Sequence, residues 1–576
     1  MHIIKSIRFL LVTAVMICFG APLLIAQSPF DDTFQEEASR VREHLEVFTD
    51  RTIYVVNERI QFRTDYSIEG LEEGMPWSDV LYLELVSPSG YAYARSKRVI
   101  TGGVSRSSFS IPPDMATGNY YLKCYTRWMR NRGPTTFSYI SVRIINPFRT
   151  EVAEYSNGSQ GIHPMERASY RMGLLEIKSP SSKFDVGKEA LFYISAPNAG
   201  YQETLQCCVT VVPVGAIDTL KGQLTRGKEI SGAPGFSLNY LPDIDGASIS
   251  GRLVHQDGSP GAYAMMYFTL LGIDPGFYVT PTDMDGRFVI STLGSTGEYE
   301  IFVTAKPHED NQLEVRVDQD FDQGELHLPD QEFEMSELER ELATNMAIRM
   351  QLARTFEKEP VKDPLISDTT KWNTVLFYGT PGFRLDMEEF VNLPTLEEVF
   401  TNLVPDIIVV KKRGRRLFKV EGPNSNIALY PPLLLIDNIP VFDQEAVMAL
   451  APERIRRIDV VNDVYVRGDV SFGGVISILS RKGDMAGIDL PQGSYFFDFQ
   501  TLEPLTMEVT EVHERGDRIP DTRNTLLWLD DVTVEKDSSV EFRCIMPDQP
   551  GDYLVLVRGV TRTGEVQAAT ARFRVE

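Results

Sequence analysis

Cysteine and histidine are both scarce, with five and seven in 576 residues. Past residue 27 the cysteines are Cys124, Cys207, Cys208 and Cys544, too few for a dense disulfide framework in so long a chain, and no CxxC or Cys/His metal spacing exists. One bridge between distant segments or buried free thiols would account for them, and the thiols fit better. Cys207 and Cys208 are adjacent in "LQCCVTVV", so a strand there sends them to opposite faces. The histidines form no HxxE with a downstream third ligand and no Ser/His/Asp order, and no carboxylate spacing singles out an acid and a base. No catalytic, metal or cofactor-binding residue is therefore assigned, and none of the cofactor classes is expected.

Positive charge is also in short supply. The chain has 57 Lys and Arg against 81 Asp and Glu, net -24, or -26 once Lys5 and Arg8 are subtracted with the amino-terminal segment (-24 - 2). So acidic a chain should repel nucleic acid overall, which argues against that partner class. Long apolar runs are confined to residues 1–27, where Lys5 and Arg8 precede an apolar stretch from Phe9 to Ala26 and a small-residue exit. That segment reads as an export signal peptide cut near Ala26 or Gln27; a retained anchor is its rival, and Gly20 and Pro22 interrupting the run weigh against the anchor. Cys18 follows Val15, Met16 and Ile17, without the small residue a lipidation site wants. Export to the periplasm, outer membrane or cell surface is the expectation.

What is abundant is strand pattern. Residues 28–49 read as a helical lead-in. From 50 to 148, runs such as "TIYVVNERIQFRTDYSI", "VLYLELVSPSGYAYARSKRVI" and "GNYYLKCYTRW" are punctuated by Gly, Pro and Asn turns, the cadence of an antiparallel sandwich. The stretches "DRTIYVVNERIQF", "LELVSPSG" and "IPPDMATGNYYLKCY" resemble the second macroglobulin domain of the alpha-2-macroglobulin family. A thioester motif of the Cys-Gly-Glu-Gln kind is absent, so the resemblance implies the domain and not protease trapping.

Residues 165–220 hold three more strands, too few to close a sandwich, while 500–576 supply about four around Trp528. A three-stranded sheet is marginal alone, which predicts one split sandwich interrupted by everything between; two independent small β units are the alternative. Within the interruption, 244–306 contains "DGSPGAYAMMYF", "TDMDGRF" and "GEYEIFV" and resembles a carboxypeptidase regulatory-like domain, a fold without catalysis. Asp283 and Asp285 fit an Asp-Gly turn with Gly286 left-handed better than a calcium loop, since the EF-hand ligand set is missing. Residues 330–385 read as helix and linker: Leu338, Leu342 and Met346, joined by Ile348, Leu352 and Phe356, give a wide apolar face for packing on the sandwiches.

Residues 386–485 carry "PPLLLIDNIPVF", "LAPERIRRIDVV" and "SFGGVISILS". Pro432 to Pro440, Leu450 to Val461 and Gly473 to Ile478 resemble the plug domain of TonB-dependent outer-membrane receptors in the version found in Bacteroidota. Asn438 stands where the family usually has Gly, and Ser471-Phe472-Gly473 where Tyr-Gly is common; asparagine also tolerates a left-handed turn. Only residues 486–576 follow, reading as soluble sandwich rather than barrel, and no energy-coupling box is recognisable near residue 28. A compact α+β module that buries Ile458, Val460, Val475, Ile476 and Ile478 needs no pore.

The fold class that emerges is mainly β and multidomain: tandem antiparallel sandwiches, a small α+β plug-like unit and one linking helix. The resemblances together imply a noncatalytic envelope scaffold or adaptor whose partner is an outer-membrane β-barrel or receptor protein, with a surface glycan- or peptide-binding module as alternative if Tyr91, Tyr93, Trp77 or Trp128 line a groove. The one candidate contact segment is "KKRGRRLFK", with Lys411, Lys412, Arg413, Arg415, Arg416 and Lys419; a solvated hairpin tip between "DIIVV" and "LFKV" is its bland reading, favoured over partner binding.

Overall fold

A computed structural model describes residues 30, 32–72, 74–154, 165–167, 171–197, 204–217, 225–227, 235–272, 274–306, 313–325, 328–356, 376–389, 393–412, 414–491, 493–503, 520–561 and 564–576. The export segment, Cys18 and Arg413 lie outside the described residues. The protein is mainly β and multidomain, with two helices of eight residues or more, Glu337–Phe356 and Leu396–Leu403, among the described residues.

The first sandwich begins earlier than the sequence suggests. Only Asp32–Ala38 of the expected lead-in is helical; Arg42–Thr49 is a strand paired along its whole length with Arg59–Glu69, because Leu45 and Val47 alternate into the core. The run read as one strand from Thr52 breaks at Asn57, whose φ of 70° turns the chain between Ile53–Val55 and Arg59–Glu69. Strands Arg59–Glu69, Arg42–Thr49 and Val104–Ser110 form one layer; the other is built on Ala92–Val99, Val80–Val86, Gly118–Tyr125 and Ser138–Ile145. Met165–Arg167 and Thr225–Gly227, expected in or after the next unit, extend this second layer instead.

The second sandwich is made of two distant pieces. Thr204–Pro213 lies between Leu527–Glu535 and Gly551–Val560, and Glu189–Ser195 pairs along its length with Ser539–Ile545. Phe192, Phe542, Phe573 and Tyr553 stack through its core. Cys207 points into that core and Cys208 out of it, toward Phe48 and Val566. All four described cysteines are free and buried. Trp528 is not a core anchor: it sits with Phe48 and Cys208 on the outer face of the sheet, where the two sandwiches meet.

The third unit contains Ser248–His255, Met265–Leu271, Gly276–Pro281, Arg287–Ser291, Glu298–Ala305 and Leu313–Val317 in two small sheets. Asp283 Oδ1 accepts from the main-chain nitrogens of Asp285 (2.9 Å) and Arg287 (2.8 Å), and Gly286 has φ 72°, so the Asp-Gly pair is a turn. Its edge is completed by Tyr495–Gln500, which pairs with Glu298–Ala305. That strand lies almost wholly in the stretch 486–499 that the sequence reading leaves unassigned, and only Gln500 falls in the segment given to the C-terminal sandwich, whose strands begin at Leu527.

Between Val317 and Tyr495 lies the α+β unit, which starts before residue 386: Phe383–Asp386, read as linker, is an edge strand of a five-stranded sheet with Ile455–Val461, Val475–Ser480, Leu433–Ile436 and Ile439–Pro440. Leu433–Ile436 runs parallel to Val475–Ser480, and the connection carries the helix Gln444–Met448, capped by Asp443 Oδ1 accepting from Ala446 N at 3.0 Å. Asp437 and Asn438 both have positive φ (50° and 68°), the primed two-residue turn that asparagine tolerates. Gly473 is obligatory for packing, since a Cβ there would lie 2.2 Å from the Tyr430 carbonyl oxygen. The units are nested: the α+β unit is inserted into the third unit, which is inserted into the second sandwich.

The sheet of the α+β unit is covered twice. One face, Leu434, Ile436, Ile458, Val460, Ile476 and Ile478, packs on Leu396, Val399 and Phe400 of its own helix. The other, Leu433, Leu435 and Val475, packs on Tyr267, Phe277 and Val279 of the third unit, and Thr269 Oγ1 donates to the Asn438 carbonyl at 3.0 Å.

The long helix Glu337–Phe356 differs from its expected face. Leu342, Ala343, Met346, Ala347 and Met350 are buried against the first sandwich, whereas Leu338 and Ile348 are 55% and 50% exposed; Leu352 is half-buried and the Phe356 side chain lies outside the described set. Small Ala343 and Ala347 permit close approach to the sheet, which turns the helix away from the bulkier stripe.

Candidate functional site

The basic run folds as anticipated from its flanks, into a hairpin of Ile407–Lys412 and Arg415–Val420 with Gly414 at φ 83°. The register places Lys411 opposite Arg416 and Lys412 opposite Arg415, like charges facing across the strands, an arrangement that costs stability rather than adding to it. Lys411, Lys412 and Arg415 are exposed; Arg416 and Lys419 are half-buried.

One face of the hairpin is anchored. Val409, Phe418 and Val420 pack under the helix Leu396–Leu403, with the Phe400 and Phe418 rings 4.7 Å apart. That helix is capped by Thr395 Oγ1 accepting from Glu398 N at 3.3 Å, and it brings Glu397 onto the Arg416 guanidinium. The hairpin's outer edge on the Arg415–Val420 side is also capped, because Arg416 N donates to Glu445 Oε1 (3.0 Å) and Phe418 N to Gln444 Oε1 (2.7 Å). Glu397, Gln444 and Glu445 are the site residues that sequence reasoning missed; the Thr395 and Asp443 caps that position them were readable as helix starts. Of the six cations singled out, the structure gathers Lys411, Lys412, Arg415 and Arg416 at one tip, sets Lys419 farther along the same strand, and does not describe Arg413.

The other concentration of ionisable groups is buried and joins units. Lys97 Nζ reaches Asp320 (2.7 Å) and the Gln500 carbonyl (2.6 Å), Lys123 Nζ bridges Glu84 (3.0 Å) and Asp322 (2.9 Å), and Arg130 donates to the carbonyls of Gln319 and Asp320, so the segment 318–322 is strapped to the first sandwich. Tyr82 donates to Asp243 Oδ2 at 2.8 Å, and Arg127 reaches Ser248 and Ser250. On the far side, Arg558 donates to the Thr49 carbonyl (2.6 Å) and Asn524 to Glu58 (2.6 Å), locking the two sandwiches together. Each of these side chains has at least one partner, while the Nε atoms of Arg127, Arg130 and Arg558 and the Asn524 Oδ1 are buried without a hydrogen bond among the described residues. Among the described residues no group of three or more His, Cys, Asp or Glu is placed to hold a metal ion, and no helix is long and apolar enough to cross a membrane.

Glu43 in the same region is buried, accepts from Tyr66 (2.9 Å) and Thr126, and burial pushes its carboxyl up to about 7. The folded protein keeps this proton to higher pH than the unfolded chain, so the associated stability is complete below about 4.5 and is lost as pH rises to about 7. Over that window the loss is about 1.4 kcal/mol per pH unit. Glu43→Gln is expected to flatten this dependence when it is read as amide hydrogen exchange protection of Arg42–Thr49 against pH; an unchanged slope would assign it to another group.

The aromatics proposed for a groove are divided. Trp77 and Trp128 pack edge to face (5.0 Å) in a cluster with Val41 and Leu238. Tyr91, 66% exposed, stands edge to face with Tyr93 at 5.0 Å on the edge strand of the first sandwich.

Set beside known proteins, the chain matches no family model and no curated sequence. Among solved structures it is similar to Escherichia coli alpha-2-macroglobulin activated by porcine elastase (10% identity, TM-score 0.23, 93% of this chain and 44% of that one) and to Salmonella alpha-2-macroglobulin reacted with methylamine (8%, TM-score 0.22, 96% and 40%). Dimeric latent PorU from Porphyromonas gingivalis also aligns, at 12% identity and TM-score 0.15 over 48% of this chain and 34% of that one. The chain thus spans less than half the length of these structures, and the description of its sandwiches rests on its own strand pairing.

Proposed function

We propose that this chain is a noncatalytic cell-envelope scaffold that presents its α+β, plug-like unit beside an outer-membrane β-barrel or TonB-dependent receptor protein. The observation that carries the reading is the double cover of that unit's sheet: Leu433, Leu435 and Val475 are packed by Tyr267, Phe277 and Val279 of the same chain. A unit held this way acts as a fixed part of a larger body, and entry into a pore would first have to strip that apolar cover. Strapped junctions, with Lys97, Lys123, Arg127 and Arg558 buried between units, support a rigid spacer in the same way. Affinity capture of the tagged chain from mild-detergent envelope fractions should recover a barrel protein in fixed ratio. Recovery of the chain alone would overturn the scaffold reading.

The second reading is a surface glycan- or peptide-binding module, favoured by exposed Tyr91 beside Tyr93. Their perpendicular rings (83°) do not form one flat platform, which weakens the case for sugar stacking. Retention of the monomer on a glycan column, lost in Tyr91→Ala, would reverse the preference.

A further inference from the structure

The basic hairpin has two strand edges, and the chain treats them differently. The register, with Arg416 N and Phe418 N donating away from the partner strand and Glu421 N donating to the Asp406 carbonyl, makes Lys412–Arg415, Val410–Leu417 and Ile408–Lys419 the hydrogen-bonded pairs, so the main-chain groups of Val409, Lys411, Arg416 and Phe418 point outward. On the Arg416 and Phe418 side the outward N–H groups are taken by Glu445 and Gln444. On the Val409 and Lys411 side no described residue supplies a partner, and Ile407–Lys412 pairs with no second strand.

The two faces are treated differently as well. Residues 407, 409, 411, 416, 418 and 420 share the face beneath the helix Leu396–Leu403; Ile408, Val410 and Leu417 lie on the opposite one, half-exposed and outside every core cluster of the described residues. Lys412, Arg415 and Lys419 share that open face. Arg416 has Glu397, but Lys411 and Lys412 have no acidic partner among the described residues.

We infer that the open edge and face of this hairpin dock an extended, acidic peptide segment of a partner protein, which adds as a third strand beside Ile407–Lys412. Main-chain pairing to Val409 and Lys411 gives such a segment its direction, apolar side chains at every second position meet Ile408, Val410 and Leu417, and carboxylates relieve the facing cations at the tip. Charge complementarity selects the occupant: the tip is a cationic island on a chain of net charge -24. An anionic lipid surface would satisfy the lysines, but it has no use for the unpaired main-chain groups and would meet repulsion from the rest of the molecule. The inference deepens the scaffold reading and rests on it for the existence of a partner.

Fluorescence anisotropy of the full chain with a labelled ten-residue probe peptide of alternating Glu and Val tests it without any barrel protein. Binding should weaken at least about tenfold in the double variant Lys411→Glu, Lys412→Glu, whose unchanged thermal unfolding verifies the fold. It should also weaken about tenfold for at least one of two probes of unchanged charge, N-methylated at every Val or at every Glu, since only one edge of the added strand faces the hairpin. Failure of the parent probe to bind, binding of both methylated probes as tight as that of the parent, or displacement of the probe by vesicles containing anionic phospholipid would each overturn the inference. Those results leave capture of a barrel protein untouched, and loss of that capture leaves the probe result standing.

Discussion

A chain ended after residue 523 is expected to lose its second sandwich outright, although residues 171–217 remain intact in sequence. Thr204–Pro213 would then have neither Leu527–Glu535 nor Gly551–Val560 beside it, and Glu189–Ser195 would lose Ser539–Ile545. The apolar side chains stranded by the cut include Phe192, Leu205, Val209 and Val211. At about 1.5–3 kcal/mol for each large side chain buried, the loss of cover for these four alone rivals the ~5–15 kcal/mol that holds an ordinary domain together. The measurement is limited proteolysis of the truncated protein, with cleavage expected inside 171–217. Co-expression of residues 520–576 as a separate piece should restore protection and co-purify. Protection of 171–217 in the truncated chain by itself would show that the two halves are independent.

Asp459→Ala is the second change with a large expected effect. Asp459 is buried in the centre of the α+β sheet, where it accepts from Tyr378 (3.0 Å) and Arg384 (2.9 Å) and pairs with Arg457 (3.0 Å). Arg457 is itself buried, so removal of the carboxylate leaves a guanidinium without its counter-charge, which typically costs about 3–5 kcal/mol. Because a multidomain chain has no single unfolding free energy, the readout is amide hydrogen exchange in Ile455–Val461 and Val475–Ser480. Protection there should fall by two or more orders of magnitude while that of the first sandwich holds. A loss below about 1 kcal/mol would mean that water reaches Arg457 and does the work of Asp459.

What the sequence revealed and what it hid divide along the range of the interaction. Period-two patterning identified the strands, and adjacent Cys207 and Cys208 did face opposite sides of one. The split of the second sandwich followed from a shortage of strands, a local fact with a long-range consequence. Closure of the third unit by Tyr495–Gln500 was illegible, since "SYFFDFQ" carries no mark of a partner that begins at Glu298. In the long helix, Leu338 and Ile348 match the apolar period as well as Met346 does; only the proximity of the sandwich decides that Ala343 and Ala347 face inward. The hairpin tip was likewise visible in its flanking β-branched residues, whereas its edge caps Gln444 and Glu445 come from a helix that only the fold brings alongside.

The nesting also sets a timetable. Gln206 and its cross-strand neighbour Thr533 are 327 positions apart, and the chain emerges amino terminus first. At synthesis rates of about 5–20 residues per second, Thr204–Pro213 waits roughly 15–65 s for the strands that flank it. During that interval an apolar ribbon with two adjacent thiols at its middle stands bare, and the innermost insert matures first while the outermost shell matures last. Any cell that makes this protein therefore has to shield an unfinished edge for roughly 15–65 s, a demand placed on its chaperones by chain order alone.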